Sequence, residues 1–238
     1  VGTRVGGKVE YMDMGVDKDF TVVYRTAFAA SIVMLVIIPL QIVVFLVVPI
    51  PGSVHEWFLL FQSNWVLGMF HADLFILVNN ILIALIYLAM YQSLKTGNRG
   101  LLQIALLFGF LGIAGYIASN KTFELLSLSS QYAAAVVETD KAMILAAGKA
   151  MIATWQGTAF DVYYVLNGFA LLLIAFAMTK SKTYGRATAV FGLVAGFFMM
   201  VPSTAGSIGL AFSLLSLLPW YVFAIRFAIV FRKLGRQV

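Results

Sequence analysis

Cysteine is absent from the 238 residues, which excludes disulfides, thiolate metal sites and a cysteine nucleophile. Charge is also scarce. Asp, Glu, Lys and Arg make up 11% of the chain against a hydrophobic share of 62%, a balance that no soluble core of this length would need. Histidine occurs twice, as His55 and His71, so no His pair falls at the i, i+4 spacing of a helical metal site. A nucleotide-binding glycine loop and a nucleophile elbow are both missing. The net charge of +6 would suit nucleic acid, but Lys and Arg cluster in short segments beside apolar runs, with no stacking pattern near them. No nucleic-acid partner is expected.

What the chain does have is long apolar runs, together with a positive mean hydropathy. Residues 1–21 mix glycine with both charges and read as a polar N-terminal tail. Residues 22–234 read as one domain with six membrane spans, at about 22–48, 71–95, 101–118, 160–178, 187–201 and 208–230. The first run is too long for a signal-peptide core and has no convincing cleavage site, so it is expected to stay as a span. Pro39 should kink it, with Gln41 satisfying a freed backbone group. Gly109, Gly112 and Gly115, and again Gly192 and Gly196, have the small-residue spacing that lets helices approach closely.

Two connectors interrupt the spans. Residues 50–70 carry Trp57, Phe58, Phe61 and Trp65 at helical spacing and read as a short interfacial helix. In the connector 119–158, a second amphipathic helix is expected after an N-cap at Thr139, with Met143, Ala147, Met151 and Trp155 on its apolar stripe. Of the sixteen basic residues, twelve lie on the side of the termini, three (Lys121, Lys141 and Lys149) on the side of the connectors, and Arg226 lies within the last run, close enough to its end to snorkel. The positive-inside rule then places both termini in the cytoplasm. The fold expected is an all-α polytopic helical bundle with short interfacial amphipathic helices.

Polar groups inside apolar runs mark where chemistry would lie. Asp73 precedes Asn79 by six residues, and Asp161 precedes Asn167 by the same interval, a short internal repeat. At about 100° per residue, Asp73, Asn80, Ala84, Tyr87 and Tyr91 share one face of the second span, and Asp161, Tyr164 and Gly168 one face of the fourth. His71, Glu124 and Gln156 fall on the same side of the bilayer as the two acids. Three readings share this cluster. Its members can lock helices together. They can bind a lipid or a small apolar ligand through Asp73, Asn79, Asn80, Tyr87, Asp161, Tyr164 and Asn167. Or His71, Asp73, Glu124 and Asp161 can hold a Zn or Mn ion. His55 and His71 as axial haem ligands are a weaker variant, and no cofactor is strongly implied. Asn120-Lys121-Thr122 fits a glycosylation acceptor, and Pro202 to Gly206 resembles a broken-helix site or a plain turn.

The runs ASNKTFELLSLSSQYAAA, DKAMILAAGKAMIATWQGTAFDVYYVLNGFALLLIAFAM, AVFGLVAGFF and SLLSLLPWYVFAIRFAIVFRKL resemble a group of small six-span bacterial membrane proteins catalogued as a domain of unknown function. The likeness covers about Phe70 to Leu234. It implies the topology and a bacterial inner-membrane location, and carries no reaction, cofactor or catalytic residue. The function expected is that of a non-catalytic subunit or scaffold that packs with another membrane protein or a second copy and binds lipid. The alternative is a small transporter or metal-dependent enzyme working at the Asp73 and Asp161 cluster.

Overall fold

The computed structural model describes residues 20–236; the expected polar tail, apart from its last two residues, lies outside them. Among the described residues there are ten helices and no strand. In chain order they are α1 (Thr21–Val47), α2 (Val54–Ser63), α3 (Trp65–His71), α4 (Leu74–Leu94), α5 (Arg99–Ser119), α6 (Thr122–Ala134), α7 (Glu138–Trp155), α8 (Thr158–Thr179), α9 (Arg186–Met199) and α10 (Gly206–Leu234).

Five stretches are long and apolar enough to cross a membrane, which makes this a helical membrane protein: α1, α4, α5 with its continuation α6, α8 with its lead-in α7, and α10. The apolar helix α9 has 14 residues. At 1.5 Å per residue it measures about 21 Å, short of a hydrocarbon core about 30 Å thick. It ends three residues before Pro202, which cannot extend the helix.

The apolar helices form a closed ring in the order α1, α4, α5, α8, α9, α10 and back to α1, each packed on the next. Glycine sets the closest approaches. A Cβ on Gly112 would collide with the Asn167 amide and come within 3.3 Å of the Tyr163 carbonyl, so α5 lies directly on the α8 backbone. A Cβ on Gly192 would come within 2.9 Å of Ala175 and 3.0 Å of Phe223, so α8 and α10 both close onto α9 at this glycine. The lipid side of the ring is apolar, as at Val36, Leu40, Leu107, Leu111, Leu218 and Ile225.

Pro39 does not act as expected. It has no N–H to give to the Leu35 carbonyl one turn back, and that carbonyl accepts the Tyr221 hydroxyl of α10 at 2.8 Å. Gln41 goes elsewhere, donating to the Phe70 carbonyl at 3.1 Å and tying α1 to α3. Arg226 is folded back, its Nε donating to Thr188 Oγ1 at 2.9 Å.

The connectors build a lid over one end of the ring. The expected single helix at 54–70 is broken at Asn64, whose side chain caps α3 by accepting the Leu67 N–H at 3.0 Å. The first half of the second connector is also helical: in α6, Ser129 donates to the Phe58 carbonyl at 2.8 Å, and Gln62 of α2 returns a bond to the Ser129 carbonyl at 3.2 Å. In α7 the N-cap is Val137, with Thr139 already inside the helix. The packed side of α7 runs through Gly148 and Trp155, and Met143 is exposed. Asn120 and Thr122 are buried and both donate to the Ala72 carbonyl, so the expected glycosylation site is a structural joint.

Gly112→Leu should destabilise the protein by about 1–3 kcal/mol through overpacking between α5 and α8. Gly100→Ala, where a Cβ meets no atom within 4 Å, serves as the reference. Thermal unfolding in detergent should show a lowered midpoint for the first variant and none for the second.

Candidate binding cavity

The ring encloses a cavity of about 700 Å³ beneath the lid. Its walls divide by polarity. Ile37, Ile38, Ile83, Leu171, Leu217 and Trp220 make a deep apolar part, while Gln41, His71, Asp73, Asn79, Tyr116 and Trp155 form a polar part. The floor is Trp220, backed outside the lining by Phe223, Phe227 and Phe231 of α10 packed in series, with Tyr24 of α1 stacked on Phe231 at 6.5 Å.

Asp73 occupies the turn between α3 and α4. Its backbone is left-handed, with φ 66°, the one non-glycine residue so placed among the described residues. For an L-residue this costs about 1 kcal/mol, less for Asp than for most. An Asp in this position ordinarily caps the helix that follows, but Asp73 makes no capping bond. Its side chain lies instead beside the Tyr116 hydroxyl and the Trp155 indole, buried in the cavity wall.

Two of the polar residues near Asp73, His71 and Gln41, are held by bonds that leave one polar atom each without a partner. His71 Nε2 donates to the Val48 carbonyl at 3.0 Å, and its Nδ1 is free. Gln41 uses its Nε2 on Phe70 and leaves Oε1 free. Asn79 Oδ1 is buried without a hydrogen-bond partner, and the Tyr116 hydroxyl and Trp155 Nε1 have nothing to donate to but the Asp73 carboxyl beside them. All five belong to residues lining this one cavity. Buried polar atoms are nearly always paired in native proteins, so this cluster around Asp73 forms a prepared hydrogen-bonding surface.

The expected site residues separate accordingly. Asp73, Asn79, Tyr87, Tyr164 and Asn167 line the cavity. Asn80 does not: it is buried one step round the helix and donates to its own Ile76 carbonyl at 3.1 Å. The cavity-facing row of α4 runs through Ile76, Asn79, Ile83 and Tyr87, slightly rotated from the face expected. Asp161 lies outside as well, accepting a bond from the Thr204 hydroxyl beside a shallow surface depression. The Asp–Asn repeat is therefore not functional symmetry, since Asp73 precedes its helix and Asp161 is inside one. Asn167 accepts the Tyr87 hydroxyl at 3.0 Å and joins the two repeats across the cavity.

The proposed metal ligands are not gathered. Among the described residues no three of His, Asp and Glu come together as a metal site. Glu124 is exposed and pairs with Lys121 at 3.5 Å. His55 is exposed against Tyr132 in the lid, outside the cavity lining. Of the lining residues, Tyr116, Trp155, Tyr163 and Ser213 had no sequence signal as site members, because each reads equally well as core, stripe or seam.

Comparison with family models, with curated proteins and with solved structures finds no match to this chain.

Two outcomes check this geometry. Tyr87→Phe should lower stability by about 1 kcal/mol, read in a detergent unfolding curve, because it leaves the buried Asn167 carbonyl oxygen without its donor. Incubation with EDTA should leave the thermal midpoint unchanged; a fall of several degrees would restore a metal to the cluster.

Proposed function

We propose that the protein is a non-catalytic, multi-pass inner-membrane protein that holds one amphipathic, lipid-like molecule in its cavity. The observation that carries this reading is the set of unpaired buried polar atoms facing a cavity whose remaining walls are apolar. Ligand sites in helical bundles combine these two features, with a few polar groups fixing orientation and apolar surface supplying affinity. The aromatic floor favours a holding site over a through-passage, which weighs against the transporter alternative. The scattered carboxylates weigh against the metal-dependent enzyme.

The topology we favour has six spans, α9 and the turn that follows it completing the fifth, with both termini in the cytoplasm as the basic residues direct. The six-span group that the sequence resembles would share this plan. A second reading, a subunit that packs with another membrane protein or a second copy, is favoured by the lid's exposed apolar side chains at Phe123, Val136 and Met143.

Native mass spectrometry of the gently solubilised protein should find a small amphiphile bound one to one. Asp73→Asn, which tolerates the same left-handed backbone, should lower its retention about tenfold, equivalent to about 1.4 kcal/mol. Asp161→Asn should retain it. A stoichiometric protein companion with no small molecule would favour the subunit reading instead.

A further inference from the structure

We propose that the occupant is a single-chain amphiphile with a donor-rich head free of negative charge, and that it passes sideways from the bilayer between the lid-side halves of α1 and α10. This deepens the ligand-binding reading above and rests on it.

The head follows from the chemistry of the wall. With Nε2 committed to Val48, His71 Nδ1 is a bare acceptor. Gln41 Oε1, Asn79 Oδ1 and the Asp73 carboxyl are acceptors too, and the donors next to them, the Tyr116 hydroxyl and the Trp155 N–H, lie against the Asp73 carboxyl. No Lys or Arg lines the cavity. A phosphate or carboxylate head, acceptor-only and anionic, would face three acceptors and an acid with no cation to balance it. A head of hydroxyls or an amine supplies the missing donors. The apolar part of the cavity, ending on the aromatic floor, suits one hydrocarbon chain.

The route follows from where α1 and α10 meet and where they part. On the side of the termini they are joined by the Tyr24–Phe231 stack and by Arg25 Nε donating to the Gly235 carbonyl at 3.0 Å. Tyr221 on the Leu35 carbonyl, which Pro39 leaves free, is the last hydrogen bond along this seam. Beyond it both helices line the cavity with residues that reach the outer surface: Ile42 of α1 is 39% exposed and Leu210 and Leu214 of α10 are 55% and 57%, with Ile50, just past α1, at 56%. The lining residues of α4, α5 and α8 are buried or half-buried. The apolar mouth therefore lies between α1 and α10, and its edges carry the same residue types as the lipid-facing surface.

The natural chain has no cysteine, so Ile42→Cys with Leu214→Cys introduces the only thiol pair, one on each edge of the mouth. The double variant, bridged with a flexible bis-maleimide or left unbridged, is placed in vesicles containing equal amounts of a monoacylglycerol, a long-chain amine and a lysophosphatidic acid. The probe retained per protein is then counted by mass spectrometry after isolation. Unbridged protein should retain the monoacylglycerol or the amine at least tenfold over the lysophosphatidic acid, and bridging should reduce that retention at least tenfold. Bridging after loading should slow release.

Retention undiminished by bridging would overturn the lateral route and point to passage past exposed Gln156 and Thr204 under the lid. Equal retention of the lysophosphatidic acid would overturn the head assignment. Failure of the unbridged and of the natural protein to retain any probe would instead overturn the ligand-binding reading itself.

Discussion

Hydrocarbon offers no hydrogen-bond partner, so every polar group of a spanning helix must find one inside the protein. Pro39 makes this constraint local, because it strips the Leu35 carbonyl of its helical donor in the middle of α1. The Tyr221 hydroxyl meets the need from α10. That bond ends the seam between the first span and the last, which Arg25 on the Gly235 carbonyl and the Tyr24–Phe231 stack close on the side of the termini. With the ring closed there, the aromatic side chains of α10 pack behind Trp220, and the cavity lies on their lid side.

The same constraint shapes the lid. The Ala72 carbonyl at the end of α3 accepts from both Asn120 and Thr122, fixing the start of α6 over the turn that carries Asp73. Gln41 reaches the Phe70 carbonyl and His71 the Val48 carbonyl, so α1 and α3 satisfy each other's chain ends. These bonds hold the polar end of the cavity as one unit. Its unpaired atoms are what remains of each side chain once its structural duty is done.

Much of this was readable in the chain. Of the six spans expected from the long apolar runs, five stretches are long and apolar enough to cross, and the glycine spacings on α5 and α9 marked the close approaches that the structure contains at Gly112 and Gly192. Asp73, Asn79, Tyr87, Tyr164 and Asn167 were identified because a polar residue inside an apolar run stands out. Asn80 was assigned to the cavity because neighbouring helical positions differ by about 100°, and periodicity alone could not settle which of two adjacent amides faced inward. Tyr116 and Trp155 stayed hidden because aromatic residues belong equally to a core, an interface belt or a site. Gln41 was given the wrong acceptor because the competing donor, Tyr221, lies 180 residues further along the chain.

Asp73 carries the most telling cost. It accepts left-handed backbone worth about 1 kcal/mol, and it forgoes the capping bond to α4 that an Asp in that place would normally make, a loss of about the same size. It also sits buried with no Lys or Arg on the cavity wall to pair with it. A residue needed only for packing gives no reason to accept all three; glycine or asparagine would suit the turn, and an apolar side chain would suit the wall. Strain of this kind persists where the surroundings over-determine it, as the doubly bonded Ala72 carbonyl next door does here. The Tyr116 hydroxyl and the Trp155 indole beside the carboxyl offset part of that cost, and the occupant proposed above would supply the rest.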